Sequence, residues 1–402
     1  VDDAPFEGVR VVELSQWVLA PVAGALLADW GADVIRVERP EGDPYRGLFT
    51  QGIGADSAGG VNLSDALANR GKRSVTLDLR NEHAMTVMHE LLARADVFIT
   101  NLRGPALARL GLDAQTVTAR YPALVYARGH GLGLRGPEAD RAGYDASAFW
   151  ARGGFAHVLT PPAEAEPIAL RGAMGDRSAA MALAFGIAGA LVRRHRTGRG
   201  STVDVSLLAT AMWALSSDVL SALRGNRPRD TQGRRVNPLY GAYRTSDGRH
   251  VQLVFLESDR YWPDLCRVLD RADLVADPRF ASHRARGENT AACVAALQEE
   301  FGRRTFEECK ELLGKIDAPW APVQAVEELL TDPQVLANDY LGEVPVDSGP
   351  GYTLPNVPVQ YDERPAPLRR APEAGEHTEE VLLELGYSWE RIGELRDAGA
   401  MP

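Results

Sequence analysis

Short, largely apolar runs of strand length alternate with longer helical runs through the first part of the chain. Val9–Leu14 (VRVVEL) is the first strand-type run. Pro21–Trp30 (PVAGALLADW) is helical in composition, with a proline in its first turn and Gly31 to end it. Asp33–Glu38 (DVIRVE) is a second strand-type run, so strand, helix and strand follow one another as a βαβ unit. That order predicts a parallel sheet. The pattern continues with a strand at Ser74–Leu79 (SVTLDL), a helix over Glu82–Arg94 and a strand at Asp96–Thr100 (DVFIT). A short helix at Leu107–Leu112 and a strand at Leu124–Arg128 (LVYAR) come next. The predicted architecture is open, doubly wound α/β, in which ligands bind outside the carboxyl ends of the strands.

Further on, Tyr144–Ala151 is predicted to be helical, and Asp176 to open a long helix over Arg177–Arg194. The apolar stretch within it, Ala179–Val192, is too short to span a bilayer and is expected to be a buried core helix. A strand at Thr202–Val205 and a helix over Ser206–Leu223 follow. The polar, basic, turn-rich stretch Arg224–Asn237 marks a boundary. Beyond it, Tyr240–Leu256 has the pattern of a hairpin turning at Ser246-Asp247-Gly248, with helices to Ile316. Val344–Tyr361 is strand- and turn-like, and His377–Leu385 is a terminal amphipathic helix. The expected organisation is a large Rossmann-like domain from residues 1–223 and 317–402, a linker at 224–236, and a smaller α+β domain at 237–316.

A length of 402 residues agrees with two domains. The formal charge of -11 argues against a general nucleic-acid or anionic-membrane surface, though not against a local basic pocket for a phosphorylated ligand. The three cysteines, Cys266, Cys293 and Cys309, have neither zinc-site nor disulfide-framework spacing, which fits a reducing cytoplasm. The opening residues lack an apolar run, so no signal peptide is expected. The eight histidines show no ligand spacing, and no metal is expected.

An open parallel sheet raises the question of a dinucleotide. The first βα turn, Ser15 to Ala20, contains no glycine, so the pyrophosphate-cradling turn is missing where it is needed. The glycines of GHGLGLRG (Gly129–Gly136) follow a strand but open no helix. They fit a flexible loop or a site of close backbone approach. His130 within that run has three readings, a base, a substrate contact or a loop histidine, of which the loop histidine is expected.

Several segments, in order and spacing, resemble the class III CoA-transferases, the CaiB/BaiF family, which also includes 2-methylacyl-CoA racemases. They are GVRVVELSQWVLAP (Gly8–Pro21), LLADWGADVIRVERPEGDPYR (Leu26–Arg46), GKRSVTLDLR (Gly71–Arg80) and NLRGPALARLGL (Asn101–Leu112). GYDASAFWARGG (Gly143–Gly154), MGDRSAAMALAFGIAGAL (Met174–Leu191), HRTGRGSTVDVSLL (His195–Leu208), LTDPQV (Leu330–Val335) and GEHTEEVLLELG (Gly375–Gly386) follow. The resemblance implies an interlocked homodimer, with coenzyme A entering as acyl-CoA on the Rossmann-like domain. It implies CoA transfer from an acyl-CoA to a free carboxylate, with Asp176 as a nucleophile that forms aspartyl anhydride and thioester intermediates. Read by itself, an Asp ahead of an apolar helical run is an ordinary N-cap. The resemblance further implies site roles for Tyr144 and Glu257. It implies contacts with CoA by Arg39, Lys72, Arg109, Asn101 and Leu102, and by the Trp17-Val18-Leu19 turn along the pantetheine arm.

The family's racemases carry His at the position of Tyr144, and Tyr is a poor base at neutral pH. That substitution favours transfer over racemisation. Asp145 is expected to be a helix cap, and His377 a cap or structural bond. Trp17 is bulkier than the family pattern, Ala142 stands where some transferases have Lys, and the Gly-Gly-Gly loop of oxalate-type transferases is missing between Arg224 and Tyr243. Two alternatives stay open: an acyl-CoA α-epimerase or isomerase, and a CoA-binding protein without transferase activity.

Overall fold

The computed structural model describes residues 4–48, 57–58, 61–227, 235–346 and 351–402. Part of the predicted linker lies outside these residues. The chain divides into two compact units, one of Val1–Asp230 with Leu336–Pro402 and one of Thr231–Val335.

The larger unit holds a six-stranded parallel sheet. Its strands are β1 (Arg10–Leu14), β2 (Asp33–Glu38), β3 (Arg73–Thr76), β4 (Val97–Thr100), β5 (Val125–His130) and β6 (Thr202–Ser206). They lie in the order β3-β2-β1-β4-β5-β6, every pair parallel. The direction of winding reverses between β1 and β4, which opens a crevice at their carboxyl ends. Successive apolar residues of β1 face opposite ways: Val11 packs into the core on one face and Val12 into the core on the other. Both faces are covered, as a parallel sheet requires. On one face lie α1 (Leu19–Asp29), buried almost throughout, and a long helix described below. On the other lies α2 (Glu82–Arg94), which buries Val87, Met88, Leu91 and Leu92.

The long helix, α3, runs from Met174 to Thr197, longer than its apolar stretch suggested. Only one stripe of it is buried, through Ala179, Ala180, Leu183, Ile187 and Ala190, so it is not the wholly buried core helix that the sequence led us to expect. Its other face exposes Met181, Phe185 and Val192. By length and composition α3 is the one helix among the described residues that could cross a membrane, although its buried stripe packs into the core of the larger unit. After β6 the predicted single helix is two, α4 (Leu207–Ala214) and α5 (Ser216–Leu223).

The smaller unit contains the predicted hairpin, β7 (Tyr240–Arg244) and β8 (His250–Val254), paired antiparallel. A third strand, β9 (Trp320–Pro322), pairs with the other edge of β8 and lies beyond Ile316. Helices Ser258–Val268, Thr290–Gly302 and Phe306–Leu313 close a core that includes Tyr243, Leu253, Trp262, Leu265 and Phe301. Back in the larger unit, β10 (Leu341–Val344) and β11 (Tyr352–Pro355) form an antiparallel pair. Helix α6 (Thr378–Leu385) is not terminal, because α7 (Trp389–Asp397) follows it and buries Ile392 and Leu395. His377 makes a structural bond: its Nδ1 accepts the Ser74 N–H at 3.3 Å.

Candidate active site

At the carboxyl end of β1 the chain turns sharply into α1. Asn101, just after β4, holds this turn by accepting the Gln16 N–H at 2.9 Å and donating to the Gln16 carbonyl at 2.6 Å. Trp17 has φ +67, a conformation uncommon for a bulky residue. The Asp43 carboxylate accepts the Trp17 N–H at 3.1 Å and pairs with the fully buried Arg36. A buried guanidinium thus fixes the acceptor that fixes Trp17. The indole meets Tyr144 edge-on, ring centres 5.7 Å apart.

Tyr144 precedes a π-helical segment, Asp145–Ala151, where the sequence suggested an ordinary helix. Asp145 caps a different helix from its own. Its carboxylate accepts the Gly175 N–H at 3.1 Å, satisfying a free donor in the first turn of α3. Asp176 lies inside that first turn, after an N-cap residue, Ala173, at φ +54, so it is not the N-cap. Burial, and then the neighbouring Asp145 charge, push the Asp176 carboxyl up to about 7, against the opposing pull of Arg177. Burial also raises Asp145, although the N–H groups of Asp176 and Gly175 oppose it. Two carboxylates share one weakly solvated helix end, so the protonated form of Asp176 persists to near neutral pH.

Asp176 and Tyr144 line one cavity of about 370 Å³ with Trp17, Leu19, Asn101 and Leu102. A second, of about 360 Å³, lies at the carboxyl ends of β1, β2 and β3, lined by Arg39, Arg80, Asp43 and Leu79. The two share Gln16 and Leu102, so they adjoin. Arg39 lines the second cavity, its Nε donating to the Gly42 carbonyl at 2.9 Å.

Other residues singled out in the sequence lie elsewhere. Lys72 is fully enclosed beneath α1, 2.8 Å from Glu13, and donates to the Pro21 carbonyl at 2.7 Å. It lines neither cavity and is taken up by the fold. Val18 is buried behind the turn, and Arg109 is exposed on the helix Gly104–Leu110; neither is among the lining residues. Glu257 belongs to the smaller unit, is exposed, lies 3.4 Å from Arg260 and is not among the lining residues. Among the described residues no cluster of His, Cys, Asp and Glu side chains is placed to hold a metal ion.

Two features were not legible in the string, and a third was read differently. Asp43 and Arg36 look like solvated charges in the string, and only long-range pairing reveals them. Gly175 is required by contact, since a Cβ there would lie 2.2 Å from Asp145 Oδ1 and 2.3 Å from the Phe149 ring. His130 is the last residue of a strand, not a loop residue, and lines the cavity. Its flanking glycines gave the signal, because both are sites of close approach.

Comparison with known proteins identifies the family. The model of CoA-transferase family III matches residues 6–378. The chain is 33% identical to an (R)-2-hydroxy-4-methylpentanoate CoA-transferase of Clostridioides difficile, over 98% of each chain. It is 35% identical to a cinnamoyl-CoA:phenyllactate CoA-transferase of Clostridium sporogenes, over 97% of this chain and 95% of that protein. A solved CaiB/BaiF family protein from Brucella suis superimposes with a TM-score of 0.79 at 32% identity, covering 95% of this chain and 100% of the other. A family match across nearly the whole length, on a fold that sets an aspartate in a crevice at the sheet's carboxyl edge, makes this chain a family III CoA-transferase, an enzyme of the CaiB/BaiF family.

Proposed function

We propose that this enzyme moves CoA from an acyl-CoA to a free carboxylate through covalent intermediates on Asp176. The observation that carries the reading is the state of Asp176: half-buried, beside a second carboxylate, and in the first turn of α3. An Asp176 oxygen attacks the thioester carbonyl carbon, the C–S bond breaks, and CoA thiolate leaves a mixed anhydride. The thiolate then attacks the Asp176 acyl carbon, releasing the donor acid and forming an aspartyl-CoA thioester. The acceptor carboxylate attacks that thioester, the C–S bond breaks, and CoA thiolate leaves a second anhydride. Thiolate attack on its acceptor carbon releases the new acyl-CoA and restores Asp176. Proton count and charge balance without another reactant. Acylation removes the negative charge that burial and Asp145 penalise, so the ground state of the nucleophile is raised relative to the covalent state.

The reading places the nucleotide portion of CoA in the cavity with Arg39 and Arg80, where guanidinium groups suit phosphate. The thioester then lies beside Trp17, Tyr144 and Asp176. One relative is named for a 2-hydroxy acid, and the other for the unhydroxylated cinnamoyl group together with the hydroxy acid phenyllactate, which supports apolar acyl groups here with a hydroxyacyl on at least one side of the exchange. Phe185 and Trp213 are 81% and 82% exposed, which supports a homodimer, with the interlocked form expected of the family. Three free, buried cysteines suit a reducing cytoplasm.

The test is incubation in D2O with a panel of acyl-CoAs and free acids, followed by mass spectrometry of the CoA esters, with an Asp176→Asn control. A new CoA ester without deuterium at the α-carbon, lost in the variant, is the expected result. Deuterium in recovered acyl-CoA without a new ester would overturn transfer in favour of proton chemistry.

A further inference from the structure

We propose that His130 reads a hydroxyl group on the acyl chain in this cavity and so selects hydroxyacyl over unsubstituted substrates; this rests on the transferase reading above. His130 ends β5, in register with Ser206 of β6. The backbone on either side is clamped. A Cβ at Gly129 would lie 2.3 Å from Leu19 Cδ2, and one at Gly131 would lie 2.7 Å from the Gly143 Cα. The backbone that carries the imidazole is therefore closely packed on both sides, in the wall that also carries Asp176 and Tyr144.

Both ring nitrogens are buried, and neither has a hydrogen-bond partner among the described residues. The nearby hydroxyls are engaged elsewhere: Ser206 Oγ accepts the Ala209 N–H at 3.0 Å, and Thr210 donates to the Ser206 carbonyl at 2.9 Å. The neighbouring arginines are also occupied. Arg128 pairs with Asp204 at 2.6 Å, Arg141 pairs with Glu138, and Arg103 donates to the Asp140 carbonyl at 2.6 Å. Leu19, Leu132, Leu134 and Leu207 are part of the cavity's apolar lining. A buried polar group without a partner is costly, and a hydrogen bond from a bound ligand would offset that cost.

Burial lowers the imidazole pKa, which favours the neutral ring with one N–H and one lone pair. A hydroxyl both donates and accepts, so it satisfies whichever nitrogen meets it. A substrate carboxylate would find a neutral ring and no free charge to balance its own. The substituent is therefore a neutral hydroxyl on an otherwise apolar chain.

The test compares 2-hydroxyhexanoyl-CoA, 3-hydroxyhexanoyl-CoA and hexanoyl-CoA as donors, with 4-methylpentanoate as the common acceptor. The wild-type enzyme should favour one hydroxy donor by roughly 10- to 100-fold in kcat/KM. His130→Leu should bring that ratio close to one, chiefly by loss on the hydroxy donor, while His130→Gln should recover part of it. If His130→Leu does not fold, His130→Phe keeps the ring shape without its nitrogens and serves the same comparison. Wild-type transfer without preference, or a preference that survives removal of the nitrogens, overturns the role of His130 and leaves transfer intact. Transfer from none of the three donors overturns both.

Discussion

Asp145 caps the helix that carries Asp176: its carboxylate accepts the Gly175 N–H at 3.1 Å, one residue ahead of the proposed nucleophile. The same contact that completes the helix end sets a second negative charge beside Asp176. Capping and activation are therefore one arrangement, and each can be perturbed separately.

Asp145→Asn keeps an oxygen for the Gly175 N–H and removes the charge. Asp176 should then ionise at lower pH, because one of the two causes holding it up is gone. The acid limb of the kcat/KM profile should move to lower pH, with the circular dichroism spectrum unchanged. An unmoved limb would show that Asp145 acts only as a cap.

In the wild-type enzyme the attacking group must be ionised. Activity should fall as pH drops through about 7, the value to which burial and Asp145 push Asp176. The linked effect on stability has the opposite sense. An unfolded Asp releases its proton near pH 4, roughly the model-peptide value. Between there and about 7 the folded chain holds more protons, so stability declines as pH rises across that window. Asp176→Asn cannot ionise and should gain roughly 1–3 kcal/mol over the wild type at pH 8. The gain should vanish near pH 4. Thermal melts at the two pH values check it.

Gly175→Ala puts a methyl group where Asp145 Oδ1 and the Phe149 ring lie within 2.3 Å of its Cβ. The Asp145 cap must shift, at a cost of about 1–3 kcal/mol for overpacking. Activity should fall further than stability, because the displaced carboxylate is the one beside Asp176. A variant as active and as stable as the wild type would refute the tight packing.

Lys72 separates a ligand contact from a structural one. Lys72→Met leaves Glu13 buried without its partner at 2.8 Å, with only Arg36 at 3.8 Å and the Ser15 hydroxyl at 2.7 Å. Stability should drop by about 3 kcal/mol. The KM for acyl-CoA in the folded fraction should stay within about two-fold, as expected of a side chain with no ligand contact. A large rise in KM with an unchanged melting temperature would instead make Lys72 a phosphate ligand.

The order of strands and helices was legible in the string. The strand Asp33–Glu38 and the helix Glu82–Arg94 appear with the predicted bounds, because apolar periodicity and capping residues act locally. The family segments pointed to Asp176 for the same reason, as a short motif at the start of an apolar helix. The charges at Glu13, Arg36, Asp43 and Lys72 were not legible. Whether a charged residue is solvated or buried depends on which distant residue it meets, and no local pattern encodes that. The exposed face of α3 around Phe185 was hidden similarly, since an Ala- and Gly-rich helix reads alike whether one side or both are covered. The sequence by itself determined the βαβ alternation, the sheet class and the candidate nucleophile. Only the tertiary structure decided that Asp145 caps α3, that Lys72 is spent on Glu13, and that His130 stands unpaired in the cavity wall. Those outcomes depend on through-space distances between strand ends, and it is chain crossing, not neighbouring sequence, that brings strand ends together.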